Sequence, residues 1–293
     1  LTDGLTGADI TSRQRSAYIS TRIRATDAFS ILAGVSQVNW ETEGASYGVA
    51  KDKDSDQTVP YFGAVYDINE SFSTYASYTE TFVPQTERDI NGDYLDPITG
   101  KSSEIGVKAQ LLDDDLFVTL AYFDAKQVGL AVAIPDSLPD DTRYYGADGI
   151  NSDGIEVELS GKINETLSAS FSFSNLNIDG DELVKNYTPE NQFKLAVTHK
   201  VPEVDGLTFG LNYQWQDDTK RVQPTQPSGV VPVTKQDAYG LLNLMATYDI
   251  NDHMSVNLNV NNVTNEKYLH SLFWEQGYYG APRSYSVSFN WQL

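Results

Sequence analysis

Residues 284–293 read SYSVSFNWQL, and polar and apolar side chains alternate along this stretch without exception. The large apolar members are Tyr285, Val287, Phe289, Trp291 and Leu293. Alternation with a period of two is typical of a β-strand, because successive side chains point to opposite faces of the sheet. The stretch therefore predicts a strand with one apolar face and one polar face.

The segment just before it, residues 254–261, reads MSVNLNVN and repeats the same alternation. In both segments the polar face consists of Ser, Asn and Gln, without a charged side chain. The outer face of a soluble β-sandwich would carry many charges, and its apolar faces would point at each other. We therefore favour a transmembrane β-barrel, in which the apolar face meets lipid and the polar face meets water or a plug.

The same alternation along the whole chain predicts thirteen strands. They lie at about 14–25, 29–47, 58–68, 71–82, 103–112, 116–122 and beyond, 155–161, 167–173, 193–199, 207–215, 238–250, 254–260 and 285–293. Short turns alternate with long loops, the loops being residues 51–57, 83–101, 134–149, 179–189 and 218–235. Outer-membrane barrels sort their connections in this way, with short periplasmic turns and long extracellular loops.

The ends of the predicted strands agree with a membrane-spanning wall. Tyr66, Ile68, Tyr248 and Ile250 come just before short turns, where an interfacial girdle is expected. Outer-membrane barrels have an even number of strands, so thirteen strands that end at a periplasmic carboxyl terminus cannot form a whole barrel. We therefore expect the 293 residues to be a fragment.

Composition excludes several classes of protein. No run of 18 apolar residues is present, which argues against a helical membrane protein. The chain has no cysteine, and hence no disulfide, thiol nucleophile or cysteine metal ligand. A formal net charge of −21 makes nucleic acid an unsuitable partner, because phosphate binding needs clustered Lys and Arg.

Several short motifs occur in a fixed order along the chain. They are VPYFG at 59–63, YASY at 75–78, FVPQ at 82–85, DP at 96–97, EIGVK at 104–108, VNNVTNEKY at 260–268 and YGAPR at 279–283. As an ordered set they resemble TonB-dependent ferric-siderophore receptors of the ferrichrome, hydroxamate or pyoverdine type. The chain departs from the family in its last residue, Leu293, where the family usually ends in Phe.

The resemblance implies an all-β, antiparallel barrel of 22 strands, of which residues 1–293 would be the carboxyl-terminal part. The amino-terminal plug, its TonB box and the first strands would then lie outside this chain. The implied protein resides in the outer membrane of a Gram-negative bacterium, among lipid and lipopolysaccharide, and contacts the TonB complex through the plug. Its implied activity is import of a ferric siderophore.

The resemblance also implies how the ligand is held. The siderophore's own oxygens saturate the iron, so the whole chelate is bound, and neither a protein metal ligand nor a further cofactor is required. Aromatic residues of the long loops are the candidates, with one arginine for an anionic chelate. These residues are Phe273, Trp274, Tyr278, Tyr279, Tyr144, Tyr145 and Arg143. The alternative is that these rings pack the loops together or belong to the girdle.

Other functions have less support in the residues. The only local Ser–His–acid grouping is His270 with Ser271 and Glu275, and sequence neighbours at that spacing are usually coincidental. We therefore predict no catalytic residues and no enzyme. The acid-rich segments 52–56, 113–115 and 179–182 lack the closing Glu of a twelve-residue calcium loop, which favours solvated loops. A passive porin and a β-rich surface adhesin remain the alternative functions.

Overall fold

A computed structural model describes residues 7–134, 143–147, 149–180, 182–223, 228–272 and 277–292. Within these ranges, thirteen long strands form one antiparallel sheet, and their order in the sheet is their order along the chain. The strands are β1 (Ala8–Arg24), β2 (Phe29–Ser46), β4 (Lys53–Asp67), β5 (Phe72–Val83), β6 (Ile98–Leu111), β7 (Leu116–Val128), β10 (Ile150–Lys162), β11 (Leu167–Asp179), β12 (Asn191–Lys200), β13 (Leu207–Gln216), β16 (Tyr239–Asn251), β17 (Met254–Asn261) and β20 (Ser284–Trp291). The predicted thirteen-strand ladder is thus confirmed.

Shorter elements occupy the long connections. They are β3 (Val49–Ala50), which pairs with β2, the hairpins β8–β9 (Leu130–Ala133, Tyr144–Ala147), β14–β15 (Thr219–Val222, Val233–Gln236) and β18–β19 (Leu269–Ser271, Tyr278–Tyr279), and the helix α1 (Glu182–Tyr187). Among the described residues, no helix is long and apolar enough to cross a bilayer.

The strand register gathers the predicted apolar sets on one face of the sheet, here called the apolar face. Residues that pair directly across an antiparallel ladder point to the same side. Leu211 pairs with Val197 and with Leu244, and the same matching of apolar residues continues to Val287 at the sheet edge. Large side chains on this face are solvent-accessible, with Phe62, Leu120 and Phe289 each at least half exposed. One exposed apolar surface therefore runs across the sheet.

The opposite side, here called the polar face, is joined by side-chain hydrogen bonds between neighbouring strands. Among the bonds that join β13, β16, β17 and β20 are Asn243 Nδ2 to Asn212 Oδ1 (3.3 Å), Thr247 Oγ1 to Asn257 Oδ1 (2.6 Å) and Asn290 Nδ2 to Ser255 Oγ (3.4 Å). Between β5 and β6, the Tyr75 hydroxyl donates to Glu104. Polar residues thus satisfy one another across the ladder, and most of them are uncharged.

Asparagine side chains close several of the short turns. Asn69 Oδ1 accepts from the backbone N–H groups of Ser71 and Phe72, each at 2.9 Å. Asn164 makes the equivalent bonds before β11, at 3.0 and 2.9 Å. Such self-capped turns close a hairpin with few residues. The predicted girdle positions beside the short turns, Tyr66, Ile68, Tyr248 and Ile250, are all exposed.

Several predicted boundaries at the long-loop end were wrong. The first strand was predicted to begin at about residue 14 and residues 53–57 were expected in a loop, but β1 begins at Ala8 and β4 at Lys53. Similarly, β6 begins at Ile98 and β10 at Ile150, before their predicted starts. These four strands are longer than the roughly ten residues that a transmembrane strand needs, and their added residues are mostly polar or charged, so alternation no longer marks the strand there.

Candidate ligand-binding site

The long connections form two groups of contacts at one end of the sheet. The first loop cluster consists of residues 84–97 and the β8–β9 hairpin. The second loop cluster consists of the β14–β15 hairpin and the β18–β19 hairpin. The predicted ligand-contacting residues divide between the two clusters.

Gln85 fastens the first loop cluster from inside. Its side chain is only 6% exposed, and its Nε2 donates to the carbonyl oxygens of Asp96 and of Gly129. These two bonds tie both ends of the 84–97 segment to the residue that precedes β8. A buried amide that holds two backbone acceptors fixes a loop much as a ladder fixes a strand.

Cations from β4 and its approach hold the same segment by its backbone. Lys53 Nζ donates to the carbonyl oxygens of Gln85 (3.3 Å) and Leu95, and Lys51 Nζ donates to that of Thr86 (3.4 Å). Each lysine replaces backbone donors that an irregular loop lacks. The charged stretch that the sequence assigned to solvent therefore has a structural role.

A compact turn forms the outer part of the segment. Asp89 Oδ1 accepts from the backbone N–H groups of Asn91 (2.8 Å) and Asp93 (2.9 Å). Burial acts to raise the pKa of Asp89, but these backbone donors outweigh it and lower the pKa below its usual value. Nearby, the Arg88 guanidinium carbon lies 3.7 Å from the centroid of the Tyr94 ring.

Three of the predicted site residues, Arg143, Tyr144 and Tyr145, lie at the start of β9. Arg143 Nη1 donates to the Asp89 carbonyl oxygen at 3.4 Å, and the Tyr144 backbone N–H donates to that of Arg88 at 2.9 Å. Burial, with the nearby Glu87 carboxylate, raises the pKa of Tyr144. Tyr145 is 44% exposed. Arg143 and Tyr144 therefore anchor the hairpin on the first segment, while Tyr145 offers a ring to solvent.

An apolar core holds this hairpin over the polar face. Val132 packs with Ile150 and Ile178, all buried, and Val184 of α1 packs against them. Ile150 and Ile178 have the phase of the polar residues of β10 and β11, so the hairpin lies on that face. The β8–β9 connection thus folds across the polar side of the sheet.

A cleft of about 600 Å³ lies between the first loop cluster and the ends of β1 and β2. Its walls include the Trp40 and Tyr144 side chains, together with Lys51 and Glu87. Trp40 was missed by sequence reasoning because it lies within a predicted wall strand. Its even residue number places it on the polar face of β2, opposite the odd-numbered apolar residues, and this large ring on the polar face could have indicated a site residue.

The other two tyrosines that were predicted to contact the ligand lie in the second loop cluster. Tyr278 and Tyr279 form β19 and are 61% and 64% exposed. Lys267 Nζ lies 4.5 Å from the centroid of the Tyr279 ring. Phe273 and Trp274, also predicted to contact ligand, lie outside the described residues. The hairpin therefore displays aromatic surface beside a cation.

The base of this hairpin explains the VNNVTNEKY and YGAPR motifs. Asn262 is 4% exposed, its Nδ2 donates to the carbonyl oxygens of Glu266 (2.8 Å) and Ala281 (3.1 Å), and its Oδ1 accepts from the Glu266 N–H (2.8 Å). Tyr268 stacks on Tyr239 with ring centroids 4.6 Å apart, and a Cβ at Gly280 would overlap the Tyr268 ring. The motifs thus encode the attachment of the last loop to the sheet.

Two side chains of β14–β15 hold the β18 strand. Gln236 Oε1 accepts from the Leu269 N–H at 2.6 Å, and Arg221 Nη1 donates to the Leu272 carbonyl oxygen at 3.0 Å. The Arg221 guanidinium carbon also lies 5.7 Å from the centroid of the Tyr187 ring on α1. Helix α1 therefore contacts both clusters, through Val184 in the first and Tyr187 in the second.

Together the two loop clusters expose the rings of Tyr145, Tyr278 and Tyr279. In the described part of the chain, no three His, Asp or Glu side chains are grouped as a metal site. His270 lies on β18 with its ring centroid 6.5 Å from that of Tyr268.

Comparison with known proteins agrees with the sheet and its loops. The family model "TonB dependent receptor-like, beta-barrel" matches residues 2–263. The chain belongs to this family of TonB-dependent receptor β-barrels. The family consists of transport receptors, and the sheet is accordingly part of an outer-membrane barrel.

Two similar receptors and one crystal structure locate the chain within the family. It is 32% identical to the ferripyoverdine receptor of Pseudomonas aeruginosa over 97% of the chain and 36% of the relative. It is 25% identical to the ferrioxamine B receptor of Salmonella typhimurium over 82% of the chain and 35% of the relative. The crystal structure of the P. aeruginosa outer-membrane receptor bound to ferripyoverdine superposes with a TM-score of 0.86, at 30% identity, over 97% of the chain and 39% of that structure. The chain thus spans little more than a third of the length of these proteins.

Proposed function

We propose that this chain is the carboxyl-terminal part of the barrel of a receptor that imports a ferric siderophore across the outer membrane. The observation that carries the proposal is the similarity, over nearly the whole chain, to a receptor whose structure contains ferripyoverdine. The remaining strands, a plug and a TonB box would complete the receptor outside this chain. Import would then draw energy from the TonB complex through the plug.

The ligand we propose is a hydroxamate-bearing or pyoverdine-type ferric chelate, bound whole. Its iron would need no protein ligand, because the siderophore supplies the coordinating oxygens. Aromatic rings would contact its apolar surface, namely Tyr145 from the first loop cluster and Tyr278 and Tyr279 from the second, with Phe273 and Trp274. Such rings contribute large contact area with little conformational freedom to lose. Arg143 would attract an anionic chelate while it holds the Asp89 carbonyl oxygen.

Uptake of radioactive iron by cells that carry the full-length receptor tests this function. Ferripyoverdine and ferrioxamine B would be supplied separately, to cells with and without TonB. We expect import of at least one chelate only when both the receptor and TonB are present. Uptake that continues without TonB would identify a passive channel, and no receptor-dependent uptake of either chelate would refute the proposed ligand class.

A further inference from the structure

The β18 strand pairs with β19, and in addition side chains of another loop bond to the backbone at both of its ends. Gln236 Oε1 accepts from the N–H of Leu269, which is the first residue of β18. Arg221 Nη1 donates to the carbonyl oxygen of Leu272, which directly follows the last residue of β18. Arg221 pairs with Thr234 in the β14–β15 ladder, two residues before Gln236. Both side chains therefore lie on one face of the hairpin. We call the two side chains the β18 clamp.

Stability alone does not account for this choice of residues. Within the described residues, the Arg221 Nε–H is buried without a hydrogen-bond acceptor, and Arg221 makes no ion pair. A partly buried guanidinium with an unpaired donor is destabilising compared with an apolar residue of similar size. By contrast, Lys235 on the opposite face is paired with Asp218 (3.4 Å) and Asp237 (3.0 Å).

The clamp also connects three long connections at one point. Arg221 lies on the connection between β13 and β16, the Tyr187 ring beside it belongs to the one between β11 and β12, and Leu272 belongs to the last one. The strand held in this way pairs with β19, which carries the exposed Tyr278 and Tyr279. Arg221 is therefore connected through β18 to these two rings.

We propose that Arg221 and Gln236 are positioning residues that fix the β18–β19 hairpin, and with it Tyr278 and Tyr279, in the orientation that receives the ferric chelate. This inference rests on the proposed function and adds two residues that do not themselves contact the ligand. Their effect on affinity passes through the hairpin. Without the clamp, the hairpin samples other orientations, and the chelate must bear the cost of ordering it.

Affinity of the full-length receptor for ferripyoverdine is the first measurement. Arg221→Gln removes the charged donor, and we expect binding about tenfold weaker, which corresponds to about 1.4 kcal/mol. Arg221→Lys keeps a cationic donor for the Leu272 carbonyl oxygen, so we expect it to remain within about threefold of wild type. Gln236→Leu tests the other arm and should resemble Arg221→Gln. Lys220→Gln, the same charge change on an exposed neighbouring residue, is the control and should leave affinity unchanged.

A double-mutant cycle separates positioning from a general loss of stability. In a receptor that already carries Tyr278→Ala and Tyr279→Ala, Arg221→Gln should weaken binding further by less than about twofold, because the rings it positions are gone. A full tenfold loss in that background would overturn the proposal, as would an unchanged affinity of both Arg221→Gln and Gln236→Leu in the parent receptor.

A second readout needs no ligand. Tryptic cleavage after Lys267, just before β18, reports opening of the hairpin base. We expect it to be about fivefold faster in Arg221→Gln and Gln236→Leu, the factor for about 1 kcal/mol of local stability, and unchanged in Lys220→Gln. Unchanged cleavage in both clamp variants would refute the clamp. If cleavage accelerates but the wild-type receptor binds no ferripyoverdine, the clamp stands and the proposed ligand fails.

Discussion

The sheet wall and the long-loop end of this protein are held together in different ways. In the wall, backbone ladders and matched apolar residues repeat from β1 to β20, and large side chains such as Phe209 and Val287 stay exposed. At the loop end, a few buried polar side chains, Gln85, Gln236 and Asn262, hold irregular backbone. In general, a wall that faces lipid needs no core, because lipid solvates its apolar side chains, whereas loops in water must satisfy their backbone groups individually.

The largest effect should come from placing a charge on the wall's apolar face. Leu211→Arg puts a guanidinium toward lipid, and we expect a loss of about 2 to 4 kcal/mol in folding free energy near the bilayer midplane. Asn212→Arg, one residue away, points to the polar face and should cost little. Urea unfolding of the full-length receptor in lipid vesicles measures both. Equal tolerance of the two variants would show that the assignment of the faces is wrong.

The wall was predictable because apolar and polar residues alternate along its strands with a period of two. Thirteen strands, the short turns and the shared apolar face follow from alternation such as that of residues 284–293, and each is present in the structure. The strand ends were not predictable, since the part beyond the bilayer has no lipid to select apolar side chains. Residues 53–57 read KDSDQ, without one apolar side chain, and still continue β4.

A loss of nearly the same size is expected from the aromatic loop residues, with the wall unaffected. Phe273→Ala combined with Trp274→Ala should weaken binding of ferripyoverdine by at least about 2 kcal/mol, or about thirtyfold, as for truncated hot-spot aromatics. His270→Ala in the same loop should leave affinity nearly unchanged, because no proton transfer is needed to hold a preformed chelate. Titrations at equal surface levels compare them. Undiminished affinity of the aromatic double variant would remove this loop from the site.

Loop anchors should behave differently again, costing stability without any contact to lipid or ligand. Asn262→Ala removes an amide that bonds Glu266 and Ala281, and we expect a loss of about 2 kcal/mol from the buried groups left unpaired. Alanine also adopts the left-handed backbone of Asn262, whose φ is 49°, less readily than asparagine does. The matched control is Asn261→Ala, whose exposed side chain makes a 3.4 Å bond to Ser284. Thermal unfolding of the full-length receptor measures both, and equal melting temperatures would refute the anchoring role.

The candidate site was only partly accessible to sequence reasoning. Exposure of Tyr145, Tyr278 and Tyr279 fits the expectation that loop aromatics face a ligand, yet contact with a chelate stays a prediction. The anchors Gln85, Gln236 and Arg221 were missed because each bonds the backbone of a segment distant in sequence. An amide or guanidinium in a polar loop has no pattern around it that distinguishes an anchor from a solvated side chain.

The smallest effect should lie at the boundary between wall and loops, where Asp217 follows β13. Asn175 Nδ2 donates to Asn191 Oδ1 (2.9 Å), and Asn191 Nδ2 donates to Asp217 Oδ2 (3.0 Å), so the chain of bonds crosses from β11 to the start of a loop. The Asn191 amide, followed by the Asp218 backbone N–H, lowers the pKa of Asp217. A depressed carboxyl pKa contributes stability that is complete above the unfolded pKa of about 3.9 and is lost as pH falls through the folded value.

We therefore expect wild-type receptor to lose slightly more stability than Asp217→Asn when pH falls from neutral to below the unfolded pKa of about 3.9. The difference should stay under about 1 kcal/mol, because solvent screens this accessible carboxylate. Melting temperatures across that range measure it, with Asp205→Asn in a short turn as the matched control. A pH dependence that is identical in wild type and Asp217→Asn would show that the ionised carboxylate adds no stability at this boundary.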